Sequence, residues 1–415
     1  MKIAYVTTYF PYKHEEQFFE AEVRSLSRLA DVAVIPTRAR RPDLCYHTLG
    51  SAPHFLGYYD LPMLRGAWAE LRRDPARALN SLRRVLVLRS SPRSRLVNLM
   101  VFPKALALAD EVRRLGVDHI HAQWITTPTT VAYLASQLTG IPYSATAHQH
   151  DVFAENLVVE KLASAAFIRV ISDRNRRHLE ERLPPELRAR CTTIHLGVEV
   201  PDEIQEPPER VPRILCAARM CSWKGHRFLL AALAQLRDQG IAFTCDLAGD
   251  GELRDEVAQT IASHGLGDLV RMVGKIPHTQ LMQRVATGEW DIFALASTER
   301  PGEHEGIPVA VMEAMAAGIP VVATRTGSLD ELVDAGSGFL VEHSDAAALA
   351  DAIGRLLSDR GLRRRTGQRG RARVCEAFET SRTTAELFTL IERATPNGVS
   401  QPPPPPTATR ATNET

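Results

Sequence analysis

The sequence lacks most of the features that mark a secreted, metal-centred or membrane-spanning protein. Its six cysteines, at positions 45, 191, 216, 221, 245 and 375, are scattered with no C-x-x-C pair, which fits a reducing compartment better than a disulfide framework or a zinc cage. No D-x-D occurs, so no obvious carboxylate pair is at hand to hold a metal–diphosphate complex. No run approaches the roughly 20 apolar residues of a membrane span, and the apolar run in Met1-Lys2-Ile3-Ala4-Tyr5-Val6 is too short for a signal peptide. Net charge is only +1, which gives nucleic-acid binding no support and makes any electrostatic role local. The expectation is a cytoplasmic protein that at most rests on a membrane surface.

What is present is a long alternation of strands and helices. At 415 residues, with 44% hydrophobic and 24% charged positions, the chain exceeds one ordinary core and predicts two α/β domains. Ile3–Thr8, Asp31–Pro36, Asp118–Trp124, Ile141–Ala147 and Ala166–Ser172 read as buried strands. A helix is expected between Phe10 and Leu29, with Phe18, Phe19, Val23 and Leu26 on one face. Strand, helix, strand in this order implies a parallel sheet with right-handed crossovers. Residues 1–200 form the first domain, and residues 40–104 interrupt it. Between Leu61 and Leu99, Arg65, Arg72, Arg73, Arg77, Arg83, Arg84, Arg89, Arg93 and Arg95 stand against Glu70 and Asp74. Leu64, Trp68, Leu71, Leu79, Leu82, Val85, Leu86 and Leu88 interleave with them. These are amphipathic basic helices, suited either to an anionic membrane or polyanionic acceptor or to a solvated arginine face. Residues 201–212, proline-rich and acidic, read as a linker. Residues 213–394 restart the alternation, with strands at 213–218, 243–248, 270–273, 291–296, 321–324 and 338–341. Residues 395–415, with Pro402 to Pro406, read as a disordered tail.

In an open α/β sheet, ligands gather where strands end. Two strands of the first domain end in His121-Ala122-Gln123-Trp124 and in Thr146-Ala147-His148-Gln149-His150-Asp151. His121, His148, His150 and Asp151 could together bind zinc, although no H-x₃-H pair or cysteine accompanies them. In the second domain, Gly249-Asp250-Gly251 lacks the third glycine of a dinucleotide fingerprint. Arg219 and Lys224 share one turn after a strand and are the candidates to offset a diphosphate. The stretch Glu305-Gly306-Ile307-Pro308-Val309-Ala310-Val311-Met312-Glu313-Ala314-Met315-Ala316-Ala317-Gly318 reads as a loop, a helix opened by Pro308 and a left-handed stop. Its helix start, flanked by two carboxylates, suits a phosphorylated, hydroxyl-rich ligand. An ordinary crossover with solvated glutamates has the same pattern.

Arg219 and Lys224, together with Glu305-x₇-Glu313 in the setting E-G-I-P-V-A-V-M-E-A-M-A-A-G-I-P-V-V-A-T, resemble the retaining glycosyltransferases of family GT4, which have the GT-B fold. Phe10-Pro11 with Glu16, Phe18 and Glu22 is similar to the N-terminal segment of bacterial exopolysaccharide and colanic-acid-type members. Thr146 to Asp151 resembles their T-x-H-x-x-D, and His195-Leu196-Gly197-Val198 their H-x-G-V. Ala218 replaces the usual glycine before the arginine, and Tyr12-Lys13-His14-Glu15 stands where the family has a glycine-rich loop.

The resemblance implies two Rossmann-like parallel-sheet domains facing across a cleft, the first for an acceptor and the second for a nucleotide-sugar, with the last helix able to pack back on the first. It implies transfer of a sugar from a UDP- or GDP-sugar to a glycan or lipid-linked oligosaccharide, with neither metal nor other cofactor. Arg219 and Lys224, with the amides of Gly306 and Ile307, would hold the diphosphate and sugar. Glu305 would bond the sugar hydroxyls and Glu313 the ribose, while the backbone near Ile276 would meet the base. His148, with Asp151 nearby, would line the reacting centre. A non-hydrolysing nucleotide-sugar epimerase of the same fold and a non-catalytic polysaccharide-assembly protein are the alternatives.

Overall fold

The computed structural model describes residues 1–12, 16, 18–38, 59–87, 92–149, 151–153, 158–299 and 305–395. His150, residues 13–15, residues 40–58 and 88–91 of the basic insertion, and the tail from 396 lie outside them. The described residues form two six-stranded sheets, every adjacent pair parallel.

The first sheet comprises β1 (Lys2–Thr7), β2 (Asp31–Pro36), β3 (His119–Gln123), β4 (Tyr143–Ala147), β5 (Ile168–Val170) and β6 (Cys191–Thr193), in the order β2-β1-β3-β4-β5-β6. The second comprises β7 (Arg213–Ala217), β8 (Thr244–Ala248), β9 (Val270–Gly274), β10 (Ile292–Leu295), β11 (Val321–Thr324) and β12 (Phe339–Val341), in the order β12-β11-β10-β7-β8-β9. Strands buried on both faces are why the sequence shows short continuous apolar runs instead of alternation. In each sheet the chain first builds to one side and then reverses, between β1 and β3 and between β7 and β10. At such a point two neighbouring connections leave in opposite directions and open a crevice at the strand ends.

Helices cover both faces. Below the first sheet, the helices Leu61–Arg73, Pro75–Val87, Pro92–Leu115 and Thr127–Thr139 share a core that includes Met63, Val85, Leu108, Val131 and Ile120. On its other face, Phe19, Val23 and Leu26 pack with Ile3, Tyr5 and Phe10, and with Leu387 and Ile391 from the last helix, Thr380–Ala394. The chain therefore returns to the first sheet after building the second.

Two helical expectations change. The expected helix between Phe10 and Leu29 is shortened to Phe19–Leu26, because the Glu16 carboxylate accepts the backbone N–H groups of Tyr9 (2.7 Å) and Phe10 (2.6 Å) and holds that segment as a turn. The helix Arg360–Ala377 has no counterpart in the sequence reading. Its buried positions are Thr366, Gly367, Gly370 and Val374, too small for an apolar stripe. They allow close backbone approach: a methyl group on Gly367 would lie 1.9 Å from the Gly318 carbonyl.

Polar side chains are also buried in the first sheet. His119 Nε2 and His121 Nδ1 both bond Ser144 Oγ at 2.8 Å, and His121 Nε2 bonds Thr146 Oγ1 at 2.9 Å. Burial pushes both imidazoles down to about 3, assisted by His121 at His119 and by Arg169 at His121. The unfolded chain takes up these protons near the ordinary value of about 6.5, whereas the folded chain refuses them until about pH 3. Their contribution is therefore complete above pH 6.5 and lost as pH falls towards 3. Denaturant unfolding at stepped pH should show stability falling through this window, by up to about 1.4 kcal/mol per pH unit for each histidine. The double variant His119→Gln/His121→Gln should have the shallower acid limb.

Candidate functional site

The second sheet's reversal point brings Lys224 and Glu305 together. Lys224 ends a 3₁₀ turn (Ser222–Lys224) after β7, and Glu305 lies in the connection after β10. Their side chains meet with Nζ 2.6 Å from Oε2, and Ser297 Oγ donates to the same oxygen at 2.9 Å. The lysine and carboxylate are 16% and 11% exposed, so most of the solvent screening that weakens surface pairs is removed.

Two glycines make this approach possible. Gly225 has φ +61°, and a methyl group there would lie 1.8 Å from the Ala296 carbonyl oxygen. Gly327 has φ +58°, and a methyl group there would lie 1.9 Å from the Glu305 carbonyl oxygen. Only a residue without Cβ meets both the backbone conformation and the space.

Buried polar atoms without a hydrogen-bond partner lie on the loops that carry the pair or pack beside them: both ring nitrogens of His226, Thr298 Oγ1, Ser328 Oγ and Gln149 Oε1. His226 opens the helix His226–Asp238 directly after Gly225. Thr298 takes its place through its N–H, which donates to the Trp223 carbonyl at 2.7 Å, and Ser328 N–H donates to the Gly306 carbonyl at 3.3 Å. Gln149 approaches from the first domain, with Cβ 3.6 Å from where a methyl on Gly306 would stand. Each such orphan costs about 1–3 kcal/mol unless a ligand satisfies it. Burial, followed by the Lys224 charge, pushes His226 down to about 4, so its ring is neutral near pH 7. His226, Thr298, Ser328 and Gln149 were absent from the sequence-based candidates, although all follow strand ends or flank the Lys224 and Glu305 loops.

The other candidates are distributed around this centre. Arg219, on the same loop as Lys224, is exposed and ion-paired to Glu252 at 3.1 Å. Glu313, inside the helix Val309–Ala316, accepts from His278 Nε2 at 2.6 Å. That hydrogen bond, outweighing burial, raises His278. Gly306 and Ile307 precede the Pro308 cap, and Ile276 packs against the second core between β9 and the helix His278–Ala286.

Across the cleft, His148 follows β4 and is 2% exposed. Its N–H donates to Asp151 Oδ1 at 2.6 Å, and Asp151 Oδ2 accepts the Ile125 N–H at 2.6 Å. Asp151 thus braces two loops, with a backbone donor on each oxygen. Burial pushes it up to about 7 against those donated bonds. Lys161 Nζ donates to the carbonyls of Ile125 (2.9 Å) and Thr126 (3.1 Å) and is pushed down by burial to about 7. The braced loop begins at Trp124, which has φ +72° and lays its ring 4.2 Å from the His148 ring centroid. His121 is turned into the sheet towards Ser144 and Thr146, so it does not join His148 and Asp151. Among the described residues no group of three or more His, Cys, Asp or Glu side chains could hold a metal ion.

A clasp ties the domains beside the cleft. Glu331 accepts the N–H groups of Asp173 (2.8 Å) and Arg174 (2.9 Å) at the start of the helix Asp173–Glu181, and pairs with His195 Nε2 at 2.9 Å. A carboxylate at a helix start meets both orphan donors and the positive end of the helix dipole. Arg174 reciprocates by bonding Glu299 (3.0 Å) and the Gly327 carbonyl (2.5 Å).

Residues 199–373 match the family model of glycosyl transferases group 1. The chain is 35% identical over 182 residues to the putative colanic acid biosynthesis glycosyltransferase WcaL of Salmonella typhimurium, a match covering 43% of this chain and 44% of that protein. It is 36% identical over 183 residues to the amylovoran biosynthesis glycosyltransferase AmsK of Erwinia amylovora, covering 44% of each. It thus spans less than half the length of these curated relatives. In three dimensions it superposes on Anabaena HepE, crystallised with UDP and glucose, with a TM-score of 0.65 at 19% identity, covering 94% of this chain and 98% of that one. The fold is GT-B, and the second α/β unit carries a glycosyltransferase group 1 domain.

The packing around Gly225 yields a controlled test. Gly225→Ala meets a clash as well as an unfavourable φ, whereas Gly240→Ala, at φ +73° with nothing within 4 Å of the added methyl, meets the φ term alone. That term is about 1–2 kcal/mol. Thermal unfolding should show the larger loss for Gly225→Ala; equal losses would contradict the close approach of the two loops.

Proposed function

We propose that the chain is a retaining glycosyltransferase that moves a sugar from a UDP- or GDP-sugar to a glycan or lipid-linked oligosaccharide in exopolysaccharide biosynthesis, without a metal or other cofactor. The observation that carries this reading is the largely buried Lys224–Glu305 pair at the reversal point of the second sheet, with unpartnered polar atoms on the neighbouring loops and Gln149 of the first domain beside Gly306. A cation beside a helix start suits a diphosphate, and a carboxylate beside unpaired hydroxyl and imidazole groups suits a sugar. The names of the WcaL and AmsK relatives support the pathway class.

In this reading Lys224, Arg219 and the amides of Gly306 and Ile307 offset the charge of the diphosphate and orient it. Glu305 exchanges part of its bond to Lys224 for the sugar hydroxyls. Glu313, oriented by His278, accepts from the ribose, and the backbone at Ile276 meets the base. The anomeric carbon–phosphate oxygen bond breaks and the bond to the acceptor oxygen forms on the same face. The departing phosphate takes the acceptor's proton. The enzyme supplies charge stabilisation already in place, with no protein nucleophile.

The first domain supplies the other substrate and the membrane. On the helix Leu61–Arg73, Met63, Ala67 and Glu70 face the core while Leu61, Leu64 and Trp68 are exposed beside Arg65 and Arg72. On the helix Pro75–Val87, Leu79 and Leu86 are exposed beside Arg83 and Arg84. Apolar side chains interleaved with arginines complement the anionic surface of an inner leaflet. Among the described residues no helix is long and apolar enough to cross a membrane, so the association proposed is peripheral.

Because Lys224 neutralises a largely buried carboxylate, Lys224→Ala removes both a ligand contact and a structural partner. It should lower the melting temperature as well as the rate. Lys224→Gln keeps a hydrogen-bond donor and isolates the charge. It should lower kcat by about 10²–10³ in a transfer assay with radiolabelled donor. Near-normal turnover would remove Lys224 from the diphosphate site, and complete isomerisation of donor without acceptor would point to an epimerase. The wild-type protein should also co-sediment with phosphatidylglycerol vesicles at low salt and detach as salt rises. Binding that ignores salt would rule out the arginine faces as the anchor.

A further inference from the structure

A chain of buried hydrogen bonds leads from the interior of the first domain to His148, and it fixes which nitrogen of that ring carries the proton. Its anchor is Arg169, fully buried on β5. Arg169 donates to the carbonyls of Ile194 (2.9 Å) and His195 (2.7 Å) and ion-pairs with Glu22. Burial alone would raise Glu22, but the Arg169 charge, the bonds from Arg169 and Tyr5, and the His148 ring outweigh it and hold the carboxyl below its usual range. Glu22 is therefore an acceptor only.

Its Oε1 accepts the Tyr5 hydroxyl at 2.7 Å and Gln123 Nε2 at 3.0 Å. Tyr5 gives its one proton to Glu22, so its oxygen is left to accept from Gln123 Nε2 at 2.5 Å. With two acceptors on one side, the Gln123 amide has one workable orientation: NH₂ towards Tyr5 and Glu22, carbonyl towards His148. Flipping it would set the carbonyl oxygen against a carboxylate. Gln123 Oε1 lies 2.8 Å from His148 Nε2, and a carbonyl can only accept. His148 must therefore carry a proton on Nε2.

We propose that Gln123 is a positioning residue for the reacting centre, holding His148 in the Nε2–H tautomer with its ring plane fixed. The proposal rests on the glycosyltransferase reading for its catalytic consequence, not for the tautomer itself. Gln123, Tyr5, Glu22 and Arg169 are all buried, and the ring is further confined by Trp124 at 4.2 Å and Phe19 at 5.5 Å between centroids. The Nε2 proton is committed to the interior side and cannot be passed to a substrate without breaking the chain. His148 thus serves as a rigid wall of the reacting centre, with its Nε2 side closed to proton transfer. This agrees with a transfer in which the acceptor's proton goes to the departing phosphate.

Nitrogen-15 NMR on histidine-labelled protein, free of nucleotide, reads the tautomer directly. Wild type should show His148 protonated on Nε2, and a ring protonated on Nδ1 alone would overturn the proposal whether or not any variant folds. Gln123→Met, close in volume, should unfold cooperatively yet show mixed tautomers, with kcat down about 10²-fold and the donor KM little changed. An unchanged tautomer or an unchanged kcat in that variant would overturn the positioning role. If wild type transfers no sugar from any nucleotide-sugar while showing Nε2–H, the functional reading falls and the tautomer assignment stands.

Discussion

The meeting of Lys224 with Glu305 is the constraint around which the second domain is arranged. Two loops from adjacent strands must converge within hydrogen-bonding range while carrying opposite charges into a region with little water. Gly225 lets the first loop pass under the Ala296 carbonyl, and Gly327 lets a third segment pass under the Glu305 carbonyl. A largely buried ion pair contributes little net stability by itself, because desolvation opposes the Coulomb attraction. Its retention beside several unsatisfied polar atoms is what one expects where part of the folding free energy is held back for a ligand.

The first domain solves the complementary problem of holding one imidazole still. Asp151 grips the His148 backbone, Gln123 grips the ring, and Trp124 covers its face. The same Arg169 that anchors this chain bonds the carbonyl of His195, whose ring pairs with Glu331 from the second domain. Residues 327–331 touch the Glu305 backbone at one end and the first domain at the other. The clasp and the site thus share a short, stiff segment, and the two halves of the cleft are held in register by charge and backbone contacts.

Much of the architecture was legible from residues alone. Apolar runs such as Ile3–Thr7 and Val321–Thr324 could hardly be anything but buried strands, and the Pro308 and Gly318 punctuation bounded the helix between Glu305 and β11. Lys224 stood out on a basic turn after a strand, Glu305 as a carboxylate just before a helix start, and His148 at the end of a strand that runs into polar residues. The helix Arg360–Ala377 was illegible because its contact face holds two glycines and a threonine with a single valine, too little apolar surface to signal by periodicity. The buried network of Glu22, Gln123 and Arg169 was illegible for another reason. A glutamate or arginine in sequence reads as solvated, and only the fold shows that buried polar residues from an N-terminal helix, β3 and β5 bond one another directly. His226, Thr298, Ser328 and Gln149 were hidden likewise, since an orphaned hydroxyl is defined by what its neighbours fail to offer.

The account depends on the reversal point between β7 and β10 being where a nucleotide-sugar is held. The most direct measurement is a crystal structure of the full chain grown with a UDP- or GDP-sugar. The account predicts the diphosphate within hydrogen-bonding distance of Lys224 Nζ, sugar hydroxyls on Glu305 and the ribose on Glu313. A nucleotide-sugar bound elsewhere, with the Lys224–Glu305 pair undisturbed, would contradict it.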